Sequence, residues 1–202
     1  MLNLPQATDI YKPLPKVQIY RKFQFTNAQQ SKFDSDISRI DIVNEVSTRT
    51  IPSILEGKKV KGFYVLSVML KTKNYEPKNI EKIAKLIPQN LVFALQFEEE
   101  VQLAVFYEKL FVSEWKKRQD AVLALNGLDF DKVRENIIKK IAGGEWNNSL
   151  SLEENIEIKE KKEKLQKEID RLEKLARKEV QPKKKFELVN RKRKFEEELK
   201  SL

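Results

Sequence analysis

From residue 151 to the end, the chain has no glycine and one proline, and 30 of its 52 positions are charged. So few apolar side chains cannot enclose a globular core, but they are spaced to line a helix. Ile158, Leu165, Ile169, Leu172 and Ala176 follow one another at intervals of 7, 4, 3 and 4, the a/d rhythm of a coiled coil. Lys162 falls in that seam, where its aliphatic stem can lie along apolar surface. Gln181-Pro182 stops the run, because the residue before a proline is pushed out of the helical region. Leu188, Phe195, Leu199 and Leu202 then resume at 7, 4 and 3. Residues 152–202 are therefore expected to form a charged antiparallel helical hairpin, coiled-coil-like. It closes on itself, pairs with a second copy, or packs on a partner.

Upstream, the chain reads differently. Residues 1–145 are expected to form an α/β (α+β) body with a mixed or antiparallel sheet. Residues 146–151 are expected to be a linker, because Gly143-Gly144 stops a helix and Asn147-Asn148-Ser149 is loop chemistry. Pro5, Pro13 and Pro15 make the first sixteen residues extended or turn-like. Thr26 caps a helix through Ile37. Val60–Leu70 is rich in β-branched and aromatic residues and reads as a strand. Pro77 suits the first turn of a helix whose inner face is Ile80, Ile83, Ala84 and Ile87. Leu91–Phe97 and Val101–Phe111, joined by Glu98-Glu99-Glu100, are too close for a crossover and must pair antiparallel. Asp129 begins a helix burying Phe130, Val133, Ile137 and Ile141. Phe63, Val65, Phe93, Leu95, Leu103 and Val105 are expected in the core.

Composition removes many chemistries. The chain lacks both cysteine and histidine. That excludes a disulfide framework, a thiol nucleophile, a Ser-His-Asp triad and a histidine-ligated zinc. Gly57-Lys58-Lys59 superficially resembles a phosphate-binding loop. It has Pro52 where the first glycine belongs, Lys59 in place of Ser/Thr, and a strand following. No dinucleotide fingerprint is present, so no cofactor is expected. The acidic pairs Asp34/Asp36 and Asp129/Asp131 lie near helix ends, where interaction with the helix dipole explains them more simply than catalysis. One enzymatic alternative remains, a Mg²⁺-dependent nuclease-like site drawn from Glu98, Glu99, Glu100, Glu114 and Lys116. Its Glu-x-Lys triplet recurs six times in this lysine-rich chain, and Val65–Lys71 carries Ser67 and Met69 where a nuclease strand needs an acid.

The strongest compositional feature is basic. The formal net charge is +9, and residues 171–194 alone hold eleven Lys/Arg against three acids. Within them, Lys183, Lys184, Lys185, Arg191, Lys192, Arg193 and Lys194 surround Phe186 and Leu188. That density suits sequence-independent contact with phosphates, with a solvated helix face as the plain alternative and Phe186 as a possible anchor of the hairpin. Tyr11, Tyr20, Phe23 and Phe25 with Lys12, Lys16, Arg21 and Lys22 form a weaker basic-aromatic patch, or simply pack on the core. The start of the chain lacks the basic and apolar regions of a signal peptide. The longest apolar stretch, Phe63 to Leu70, is eight residues against the roughly 20 needed to span a membrane. A cytoplasmic protein without membrane association is expected.

Four stretches together carry a resemblance. They are Leu4-Pro5-x-x-Thr8 with Pro15-Lys16; Leu86-Ile87-Pro88-Gln89-Asn90-Leu91-Val92-Phe93-Ala94-Leu95; Gly127-Leu128-Asp129-Phe130-Asp131-x-Val133-x-Glu135-Asn136; and Lys178-Glu179-x-Gln181-Pro182-x-Lys184-Lys185-Phe186-Glu187-Leu188. In this order the chain resembles the prokaryotic domain-of-unknown-function family 4391 over nearly its whole length. The resemblance implies an α/β body with a charged C-terminal hairpin. It also implies a setting beside helicases and DNA methyltransferases in restriction-like or phage-defence loci, and supplies no catalytic residues. The expected function is thus that of a non-enzymatic accessory protein docking on a helicase or methyltransferase subunit. Leu165, Ile169, Leu172, Phe195 and Leu199 are the candidate partner-binding residues, and homodimerisation through the tail is the structural alternative.

Overall fold

The structure is a computed structural model describing residues 2–147 and 149–201. Its contacts divide into two compact units, Met1–Gly144 and Glu145–Leu202.

In the first unit, the described residues form one mixed sheet of seven strands. These are β1 (Asp9–Pro13), β2 (Ile37–Ser47), β3 (Gly62–Leu70), β4 (Leu91–Phe97), β5 (Glu100–Tyr107), β6 (Lys109–Val112) and the short β7 (Lys116–Lys117). The first six lie side by side in chain order, and β7 pairs with β5. All the ladders are antiparallel except β3–β4, which is parallel. A parallel neighbour requires a crossover, and the helix that Pro77 starts, α3 (Pro77–Leu86), supplies it.

Alternation along β3 and β4 sets the two faces of the sheet. Leu66, Val68 and Leu70 with Leu91, Phe93 and Leu95 pack with Ile19, Phe33, Ile80 and Ile83 from the helices α1 (Lys16–Lys22), α2 (Asn27–Asp36) and α3. The opposite face carries Val65, Val92, Val101, Leu103 and Val105, all buried. There Val101 and Leu103 line a small pocket with Ile141 of α4 (Phe130–Ala142). All six core residues expected from the sequence are buried, as is the expected apolar face of α4.

The structure departs from expectation in several places. Val101–Phe111 is not one strand but two, β5 and β6, which reverse tightly at Glu108, whose φ is +58°. The turn has no glycine or proline, so Glu108-Lys109 reads as a polar pair inside one strand rather than as a reversal. Lys16–Lys22 is a helix, and Tyr20, Phe25 and Phe33 form a three-ring cluster with centroids 5.5–5.8 Å apart. Tyr20, Phe23 and Phe25 of the basic-aromatic patch therefore pack on the core, and Lys16 reaches Asp34 at 2.6 Å, whereas Tyr11, Lys12, Arg21 and Lys22 stay exposed. The acids also act beyond their own helices. Asp34 and Asp36 sit in the last turn of α2, where the helix dipole disfavours them. Asp34 is held by Lys16 and by Tyr20 at 2.7 Å. Asp36 accepts from the Glu76 amide at 2.9 Å and the Asn79 side chain at 3.0 Å. The first unit is also closed end to end, the Leu123 amide donating to the Leu2 carbonyl at 3.0 Å.

The second unit is the hairpin. Its helices are α5 (Leu152–Lys178) and α6 (Pro182–Ser201), joined by three residues and packed together. The Ser151 hydroxyl accepts from the Glu154 amide while the Glu154 carboxylate accepts from the Ser151 amide, a complete capping box. Asn155, buried, donates to the carbonyls of Asn147, Leu150 and Ser151 and accepts from the Asn147 amide, tying the incoming chain to α5. No helix among the described residues is long and apolar enough to cross a membrane.

Candidate nucleic-acid interface

The hairpin sorts its residues by helical geometry. Ile169 and Leu172 are only 5% and 1% exposed, Ala176 is also buried, and Leu165, Phe195 and Leu199 are half-buried. The seam expected from the heptad spacing is thus taken up within the chain.

The basic residues of α6 divide into two groups. Lys192 reaches Glu173 of α5 and Glu196 of its own helix, both at 3.3 Å. Arg191 lies 3.8 Å from Glu168 of α5 and has its guanidinium over the Phe195 ring, 5.9 Å from the centroid. Hydrogen bonds from Arg177 and Arg171 of α5 chiefly hold the Glu173 and Glu168 carboxyls below the usual carboxylate range, and Lys192 and Arg191 add to the effect. Arg191 and Lys192 therefore clasp the two helices. Lys183, Lys184, Lys185, Arg193 and Lys194 make no ion pair among the described residues, and all are exposed.

At about 100° per residue, Lys183, Phe186, Arg193 and Lys194 fall on one side of α6. Leu188, Phe195 and Leu199 fall on the other. Phe186 is 66% exposed, so it does not anchor the hairpin. The anchoring side is that of Leu188 and Phe195, both half-buried. The result is an outward stripe in which unpaired cations flank an open aromatic ring.

The residues of the enzymatic alternative lie on the sheet. Glu98 and Glu99 form the β4–β5 turn, with Phe97 and Glu100 paired on either side. Glu100 is paired with Lys73, and its backbone pairs with Lys117 of β7 as that of Val101 does with Lys116. Glu114 lies just before β7. Among the described residues no three acidic side chains gather as metal ligands would. Ser67 stands opposite Asp41 across the β2–β3 ladder and accepts from Gln96 at 2.6 Å, while Asp41 is engaged by Arg39 at 2.7 Å and by the Tyr11 hydroxyl at 3.2 Å.

The phosphate-loop look-alike does bind an anion, but one the chain supplies. The amides of Lys58 and Val60 each donate to the Asp131 carboxylate at 2.7 Å, and that of Lys59 does so at 3.1 Å. Sequence reasoning reduced Asp131 to a dipole partner. Its position two residues after the capping Asp129, with Gly57 far upstream, gave no local signal of the long-range bond.

Fold and stripe together define an α+β protein with a mixed sheet and a charged helical hairpin. The chain belongs to the family described as Domain of unknown function (DUF4391), whose model matches residues 2–199. No curated protein and no solved structure matches it.

Proposed function

We propose that the chain is a non-enzymatic, cytoplasmic accessory protein of a prokaryotic DNA-modification or phage-defence system. Its hairpin contacts nucleic acid without sequence preference, and its α/β body docks on a helicase or methyltransferase subunit. The observation that carries the nucleic-acid reading is the unpaired state of Lys183, Lys184, Lys185, Arg193 and Lys194. A carboxylate partner would already have neutralised them, whereas cations left free along one helix suit phosphate neutralisation with release of counterions. The occupied seam favours this arm role over partner docking through Leu165, Ile169 and Leu172. The setting beside a helicase or methyltransferase rests on the family resemblance.

The test is fluorescence anisotropy of the full chain with labelled single- and double-stranded DNA and RNA, between about 50 and 200 mM salt. Binding is expected to weaken steeply with salt. K183E/K184E/K185E is expected to weaken it further and to flatten the log–log salt slope by about 0.7 per lost contact on single strands. No binding at the lowest salt overturns the reading. For docking, co-expression with the adjacent helicase or methyltransferase subunit and size-exclusion chromatography should show co-elution, and separate elution overturns that half.

A further inference from the structure

We infer that the hairpin prefers single-stranded over duplex nucleic acid because Phe186 is a stacking platform for an unpaired base. This rests on the nucleic-acid reading above and adds the class of strand that the same stripe takes.

Tyr11 is the other exposed ring among the described residues, and it is covered by a cation, as are the half-buried rings of Trp146 and Phe195. Lys159 lies over Trp146 at 5.4 Å, Arg39 over Tyr11 at 5.4 Å and Arg191 over Phe195 at 5.9 Å. Phe186 is 66% exposed, and no cation or ring among the described residues lies over it. Its sequence neighbours Lys184 and Lys185 are exposed as well. Lys183 lies one turn before it on the same side of α6, and Arg193 and Lys194 lie two turns after it.

The partner that fits must satisfy both features at once. An acidic peptide would neutralise the lysines and leave the ring bare. Duplex DNA would neutralise them too, but its base faces are already stacked on one another. A single strand offers phosphates at regular intervals and, between them, flat π-faces free to stack on an aromatic side chain regardless of sequence. The stripe is therefore built for a polyanion whose bases are unpaired.

The experiment measures binding of the full chain to fluorescein-labelled dT20 and to a blunt duplex of the same length, over one salt series. Wild type, F186L and F186W are compared. F186L keeps an apolar side chain of similar bulk at an exposed position, and circular dichroism should show unchanged helix content. Wild type is expected to bind dT20 more tightly than the duplex. F186L is expected to lose about tenfold or more on dT20, with the salt slope unchanged and duplex binding unaffected. F186W is expected to retain dT20 binding, with its added emission quenched by the strand relative to wild type. If wild type binds but F186L lowers both substrates equally or neither, Phe186 is not a stacking platform and the inference falls while the phosphate-binding reading stands. If wild type binds neither substrate, the underlying reading falls and takes the inference with it.

Discussion

A methyl group placed on Gly57 would lie 2.5 Å from the carboxyl carbon of Asp131 and 2.6 Å from its backbone nitrogen. Glycine is needed there because the loop between β2 and β3 closes directly on the first turn of α4. The carboxylate receives three consecutive amides of that loop. The Gly-Lys-Lys sequence that hints at a nucleotide site is thus a clamp between the sheet and its covering helix.

Gly57→Ala should destabilise the first unit by about 1–3 kcal/mol, because the clash is with backbone as well as with side chain. Urea denaturation followed by tryptophan fluorescence measures this. A midpoint equal to wild type would mean that loop and helix separate freely.

The clamp also predicts the acid limb of stability. Burial opposes ionisation of Asp131, but the amides of Lys59, Val60 and Lys58 outweigh it and hold the carboxyl below its ordinary value. A group depressed in the folded state stabilises fully above its unfolded pKa, about 3.9 for Asp. That contribution is lost as pH falls through the folded value. Asp131→Asn should therefore lower the unfolding midpoint at neutral pH, and its deficit against wild type should shrink below about pH 4. A deficit independent of pH would show that the charge contributes nothing.

Asn155 joins the loop before the hairpin to α5 through four hydrogen bonds. Asn155→Ala leaves the Asn147 amide and several carbonyls without this partner, at a cost of about 1–3 kcal/mol. Thermal unfolding by circular dichroism should show it. Asn155→Asp, which can still accept from Asn147 but cannot donate, should restore only part of the loss.

The two groups of cations on α6 should separate in experiment. Arg191→Glu with Lys192→Glu puts like charges beside Glu168 and Glu173, and should melt the hairpin earlier. Lys183→Glu with Lys184→Glu touches no ion pair and should stay within about 0.5 kcal/mol of wild-type stability, as exposed substitutions do. Only the second pair should weaken nucleic-acid binding while leaving helix content intact. Equal melting of both variants would mean that the clasp does not hold the helices together.

Where local chemistry decides structure, the sequence was readable. Thr26, Pro77, Asp129 and Gly143 mark helix ends as capping and φ restrictions require, and the heptad spacing marks the seam through Ile169 and Leu172. β2 was missed because it starts at Ile37, directly after the last helical residue Asp36, with no turn residue between them. Arg39-Ile40-Asp41-Ile42 alternates, but Val43 and Asn44 reverse the pattern, and two register shifts break it further. α1 was missed because its single fully buried side chain, Ile19, is set among basic residues. At the candidate site, the seven cations were visible as a cluster. Which of them spend their charge on Glu168, Glu173 and Glu196 depends on how α5 lies against α6, and no local pattern encodes that.

The bond from Leu123 to Leu2 has a meaning during synthesis. Leu2 is buried, yet Leu123, whose amide pairs with its carbonyl, is made after every strand of the sheet. At about 5–20 residues per second, Leu2 waits roughly 6–25 s before that partner has been polymerised. α4, whose first amide docks on the Leu55 carbonyl, comes later still. Until α4 is made, the sheet face of Val101 and Leu103 lacks the helix that packs on it.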